Sequence, residues 1–129
     1  MRPRSSGYYE QCKPNTLKEA AELISFDLLK DVEFKEEHPH AETILADRDT
    51  RLIRFSLLPG QSIKEHSAPS SPVYIIILEG RGTFTGGEDN ASELGAGSCV
   101  KYEQGEKHSV RAGDEKLVFA ALLKGSPRD

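Results

Sequence analysis

A chain of 129 residues with 17 basic and 21 acidic side chains, net charge −4, is sized for one domain and has no clustered Lys/Arg stretch. That balance argues against nucleic acid as a partner, and with Trp absent and aromatics few there is no stacking platform for single strands. No apolar run approaches the ~20 residues a membrane helix needs, so no membrane partner is expected.

The opening MRPRSSGYYEQ has no apolar stretch of the kind a signal peptide carries. Cys12 and Cys99 are far apart, and a chain of this type keeps them reduced. The expected compartment is the cytoplasm. Residues 1–14, broken by Pro3, Gly7 and Pro14, read as a mobile lead-in to a single domain over 15–129. Thr16-Leu17-Lys18-Glu19 fits a capping box, and Leu17, Ala20, Ala21 and Ile24 recur at helical spacing. One short N-terminal helix is expected there.

Strand patterns follow. Val32 and Phe34 alternate with charged residues, and Thr43 to Ala46 is a short apolar piece. Ile53, Phe55 and Leu57 alternate with Arg54 and Ser56, the signature of a half-buried strand. After the Pro59-Gly60 turn, Val73 to Leu78 is continuously apolar and rich in β-branched residues, which predicts a strand covered on both faces. Thr83-Phe84-Thr85 and Leu94 flank a polar tip, Gly86 to Asn90, as in a hairpin. Cys99 to Tyr102, Ser109 to Arg111 and Lys116 to Leu123 complete the series. Short strands about ten residues apart predict an all-β antiparallel sandwich or barrel.

Two glycine-punctuated segments carry more. In the first, Gly60, His66 and Gly80 stand at fixed intervals; in the second, Gly97, Gly105 and His108 do. This pattern resembles the paired motifs of the cupin superfamily, and the resemblance covers roughly residues 51–123. It implies a double-stranded β-helix, a jelly-roll barrel in which the two histidines face each other. Family members of this size commonly pair as homodimers, so a homodimer is expected, with outward apolar side chains such as Tyr74 and Ile76 as the physical motive.

The departures from the pattern bear on chemistry. The second histidine of the first motif is Ala68 here and its glutamate is Val73; the proline and asparagine of the second are Glu103 and Ala112. The resemblance implies a metal held by three histidines and a glutamate, and this chain keeps His66 and His108 of the four. The primary expectation is a small cupin that binds a small-molecule ligand in its barrel, with weak or no metal binding and no robust catalysis. Phe55, His66, Val73, Ile75, Tyr102 and His108 are the expected lining, the histidines orienting the ligand's polar part.

Two alternatives accompany it. One is a metal-dependent enzyme of the dioxygenase, isomerase or decarboxylase kind, with Fe, Mn, Ni or Zn on His66, His108 and waters. The other is a regulatory or structural module acting through a partner protein. Elsewhere the motifs are bland. His38-Pro39-His40 lies in a polar connection, Cys99 reads as a small hydrophobe within an apolar strand, and Gly80-Arg81-Gly82 leads into no helix that would bind phosphate.

Overall fold

The computed structural model describes residues 21–125, which form nine β-strands and no α-helix. The capping box and first residues of the expected helix lie outside the described residues, as does the whole lead-in with Cys12. Residues 21–27, where that helix would have ended, carry no regular structure.

The strands are β1 (His40–Ala46), β2 (Thr50–Leu57), β3 (Ser62–His66), β4 (Val73–Glu79), β5 (Arg81–Thr85), β6 (Ala91–Gly95), β7 (Cys99–Tyr102), β8 (His108–Ala112) and β9 (Leu117–Lys124). They divide into a five-stranded sheet ordered β1-β2-β9-β4-β7 and a four-stranded sheet ordered β3-β8-β5-β6, every pair antiparallel. The chain passes repeatedly between the sheets, and the inward face of each strand is set by its period of two. On β2 and β9 the inward pairs are Arg51↔Leu123, Ile53↔Ala121, Phe55↔Phe119 and Leu57↔Leu117.

Phe119 sits at the centre of the space between the sheets. Its ring stacks on Phe55 at 4.9 Å and meets Phe84 edge-on at 5.6 Å. Leu57, Ile77 and Leu117 are fully buried around it. Aromatic pairs at such distances contribute about 0.5–1.5 kcal/mol beyond the area they bury.

Several expectations need correction. Val32 and Phe34 form no strand; residues 28–36 run irregularly across the outer face of β2. Arg54 donates to the carbonyls of Leu28 and Lys30 at 3.0 and 3.2 Å and to Glu42 at 2.6 Å, while the Ser56 hydroxyl donates to the Glu33 carbonyl. Arg54 and Ser56 are therefore buried, so this length of β2 is covered on both sides. On β4 the reverse holds. Val73, Ile75 and Ile77 are buried, but Tyr74 and Ile76 are 41% and 46% exposed, because nothing among the described residues covers that part of the sheet. Cys99 shares this outer face, directly opposite Ile76, and is exposed rather than a core hydrophobe.

The motif glycines Gly60, Gly80, Gly97 and Gly105 all have positive φ, between 79° and 93°. At Gly80 the backbone also approaches another chain segment: a Cβ there would collide with the Lys116 carbonyl. Glycine thus supplies both the left-handed turn between β4 and β5 and the close passage of the β8–β9 connection.

Candidate functional site

Strict alternation along β3 from Ile63 would turn Glu65 inward. A register shift between Ile63 and His66 prevents this, and His66 instead pairs with His108 of β8. Bulges re-aim side chains in this way. The two imidazoles meet edge to face with centroids 4.2 Å apart.

Each ring is also fixed from behind. Nδ1 of His66 lies 2.9 Å from the Lys64 carbonyl, and Nδ1 of His108 lies 2.9 Å from the Glu106 carbonyl. A carbonyl only accepts, so each Nδ1 carries the proton and each neutral ring keeps Nε2 as a free acceptor. His108 is buried and His66 exposed. Burial pushes the His108 imidazole below the ordinary histidine value and His66 adds to this, against opposing pulls from the backbone hydrogen bond at Glu106 and from its carboxylate.

The pair borders a cavity of about 740 Å³ between the sheets. Phe55, His66, Val73, Ile75 and His108 of the expected lining are all on its wall, joined by Ile53, Phe119 and Ala121. Ala68 and Val73, the positions where the resemblance implies a histidine and a glutamate, lie on the wall as well. They leave it apolar where a metalloenzyme would have ligands.

Tyr102 is the exception. It is not among the residues lining the cavity; its ring lies flat against His108, centroids 4.3 Å apart and planes 14° apart. Its hydroxyl is buried with no hydrogen-bond partner among the described residues. Burial, with the Glu106 carboxylate adding to it, pushes that hydroxyl up to about 12. Tyr102 packs flat against the imidazole of His108.

Sequence reading missed two features. Glu106 accepts the backbone N–H of Gly87 at 2.9 Å and of Glu103 at 2.8 Å, tying the β5–β6 tip to the turn before β8. These donors hold its carboxyl below the usual glutamate value. Arg48, Arg51 and Lys124 place three cations on the cavity wall. The position of Arg51 was legible, since it continues the inward series Ile53, Phe55, Leu57, but a charge at the end of an apolar stripe reads as a strand terminus.

As a metal centre the pair is incomplete. Among the described residues no group of three or more His, Cys, Asp or Glu side chains could hold an ion. Catalytic zinc takes three protein ligands plus water, and non-haem iron takes two histidines and a carboxylate. His66 and His108 alone do not fit either. His38 and His40 lie apart from the pair: Nδ1 of His38 faces the Pro39 carbonyl at 2.8 Å, and His40 opens β1 with Nε2 3.8 Å from Glu33. No helix among the described residues is long and apolar enough to cross a membrane.

Residues 53–123 match the family model described as Cupin domain. No curated protein matches the chain. Among solved structures, an uncharacterised conserved protein with a double-stranded β-helix domain from Klebsiella pneumoniae is 21% identical, over 80% of this chain and 90% of that one, with a TM-score of 0.74. An RmlC-like cupin protein from Desulfovibrio desulfuricans is 25% identical over 78% and 96% of the two chains, TM-score 0.68. A predicted oxalate decarboxylase from Thermotoga maritima is 23% identical over 68% and 81%, TM-score 0.62. At these identities the likeness is one of fold.

Proposed function

The chain belongs to the cupin family, and from that premise we propose that it binds a small molecule in its barrel without robust metal-dependent catalysis. The observation that carries this reading is the cavity itself. It is within the usual size of small-molecule sites, apolar over most of its wall, with two preoriented acceptors at His66 and His108. The aliphatic and aromatic side chains would enclose the ligand body, and the free Nε2 atoms would accept hydrogen bonds from its polar part.

Titration with 1-naphthol tests it. The ring suits the apolar wall and the hydroxyl can donate to a free Nε2. Ala121→Phe should fill the cavity and abolish binding. The double variant His66→Ala/His108→Ala should weaken it about fivefold, as loss of one net hydrogen bond implies. Binding unchanged in both variants would end this reading.

A second reading has its own observation. Both imidazoles donate Nδ1–H to backbone carbonyls, the arrangement that orients metal-bound histidines. An enzyme of the dioxygenase, isomerase or decarboxylase kind, loaded with Fe, Mn, Ni or Zn, would need donors beyond those the described residues bring together. Elemental analysis of untagged protein checks it: metal far below one equivalent, unchanged on adding each ion, removes it.

In either case the chain would act as a homodimer in the cytoplasm. The exposed patch of Tyr74, Ile76 and Leu122 supports the first, and the free thiol of Cys99 suits a reducing compartment.

A further inference from the structure

The wall of the cavity is apolar, but its charged members are lopsided. Arg48, Arg51 and Lys124 line it against one carboxylate, Asp49. Among the described residues none of these four side chains is engaged in an ion pair.

Arg51 is the most telling of the three. On β2 the inward side chains run Arg51, Ile53, Phe55, Leu57, paired with Leu123, Ala121, Phe119 and Leu117 of β9. The guanidinium therefore emerges on the inner face of the sheet, at the end of the stripe that forms the cavity wall. Its Nε donates to the Lys124 carbonyl at 3.4 Å. The two terminal nitrogens have no hydrogen-bond partner among the described residues, and they are the fork that recognises a carboxylate.

The turn that carries Arg48 is held in place. Asp47 Oδ1 accepts the N–H groups of Asp49 and Thr50 at 2.8 and 2.9 Å, and Gly125 donates its N–H to the Asp49 carbonyl at 2.9 Å. A Cβ at position 125 would collide with the Asp47 and Arg48 carbonyls, so glycine lets the end of β9 pack directly on this turn. The cations are thus presented by backbone pinned at both ends.

We propose that the cavity takes an amphipathic anion: an apolar body lying among Ile53, Phe55, Ile75 and Phe119, with a single carboxylate or comparable oxyanion bound by Arg51 and helped by Arg48 and Lys124. This inference rests on the small-molecule reading above and names its ligand class. A neutral apolar ligand would leave the three cations opposed by Asp49 alone. A cationic ligand would be repelled there, since only Asp49 opposes them.

The test compares two probes with the same ring system, 1-anilinonaphthalene-8-sulfonate and its neutral parent N-phenyl-1-naphthylamine. The chain has no Trp, so probe fluorescence is read on a low background. The sulfonate should bind about tenfold more tightly at low salt, the value of one charge-assisted contact, and lose that margin as salt rises. Arg51→Met should remove most of the margin and leave the neutral probe unchanged, which also shows that the variant is folded. If Arg51→Met loses the neutral probe as well, Arg48→Met in the exposed turn decides by the same comparison. Arg111→Met, which removes a charge from the exposed face of β8, should change neither probe.

Equal affinity for the two probes, or a sulfonate margin that survives the deciding variant, overturns the anion inference while leaving the cavity reading intact. Failure of Ala121→Phe to displace either probe, or absence of binding by both, overturns the cavity reading on which it rests.

Discussion

The ring of Tyr102 lies flat on that of His108, 4.3 Å between centroids, with its hydroxyl buried and unpartnered among the described residues. The contact is one of shape: it holds the imidazole from the side away from the cavity. Tyr102→Phe keeps that shape and removes a polar atom that gains nothing from burial. Its melting temperature should be equal to wild type or slightly higher. Tyr102→Ala should lose about 3 kcal/mol or more through the cavity it leaves. Thermal denaturation of the two variants separates packing from hydrogen bonding; a large loss in Tyr102→Phe would show that the hydroxyl has a partner.

The same residue makes a prediction at high pH. Its hydroxyl is raised to about 12 in the fold, against an ordinary tyrosine value of about 10. The neutral form is favoured by folding, so the associated stability is intact below pH ~10 and is lost as pH climbs toward ~12. The expected loss is about 2–3 kcal/mol. Denaturant melts across that window should show it in wild type and not in Tyr102→Phe.

His108 acts at the acidic end. Its imidazole is held below the ordinary value, chiefly by burial. Folding favours the neutral ring, so this contribution is present above the unfolded value of about 6.5 and is lost as pH falls through the lower folded value. Proton NMR titration should place the His108 midpoint below the ordinary histidine value. A midpoint at or above ~6.5 would contradict the burial argument.

Gly80 and Gly97 separate two reasons for glycine. Both have positive φ, 83° and 93°, but a Cβ at Gly97 meets nothing while one at Gly80 strikes the Lys116 carbonyl. Gly97→Ala should cost about 1–2 kcal/mol, the strain of a left-handed alanine. Gly80→Ala should cost clearly more, because the β8–β9 connection must also move. Equal losses in chemical denaturation would remove the steric part of this account.

Arg54 clamps residues 28–36 to the barrel. Arg54→Met keeps the stem and removes the donors to Leu28, Lys30 and Glu42. The expected loss is about 1–3 kcal/mol, with faster amide exchange confined first to residues 28–36. Uniform exchange across the barrel would count against a local clamp.

The outer patch of β4 and β9 bears on assembly. Sedimentation at micromolar concentration should show a homodimer that Ile76→Glu dissociates. A monomeric wild type would remove that reading.

Much of the fold was legible because its signals are local. Alternation at Ile53, Phe55 and Leu57 marks a strand wherever it occurs, and glycines at 60, 80, 97 and 105 mark turns that need positive φ. With the histidine spacing added, they carry the resemblance to the cupin motifs, which implied the barrel and His66 facing His108. Where the reading failed, the missing term was a neighbour distant in sequence. Val32 and Phe34 have strand alternation but pair with no sheet edge, and their segment crosses the outer face of β2 instead. The run Val73 to Leu78 looks like a strand buried twice because hydropathy cannot say that its second face lies bare. Tyr102 has the composition of a ligand contact, but its ring stacks on His108 and is not among the residues lining the cavity.

By itself, then, the sequence determined the strands and the positive-φ turns, since these depend on local alternation and backbone geometry, while the barrel and its two histidines came from the resemblance to the cupin motifs. Tertiary structure decided the rest. A bulge in β3 turned His66 inward and Glu65 out. The pairing of β2 with β9 brought Arg51 to the end of an apolar wall, and the close packing of Gly125 on the β1–β2 turn set Arg48 beside it. A charge's meaning depends on what surrounds it, and residues far apart in the chain supply those surroundings.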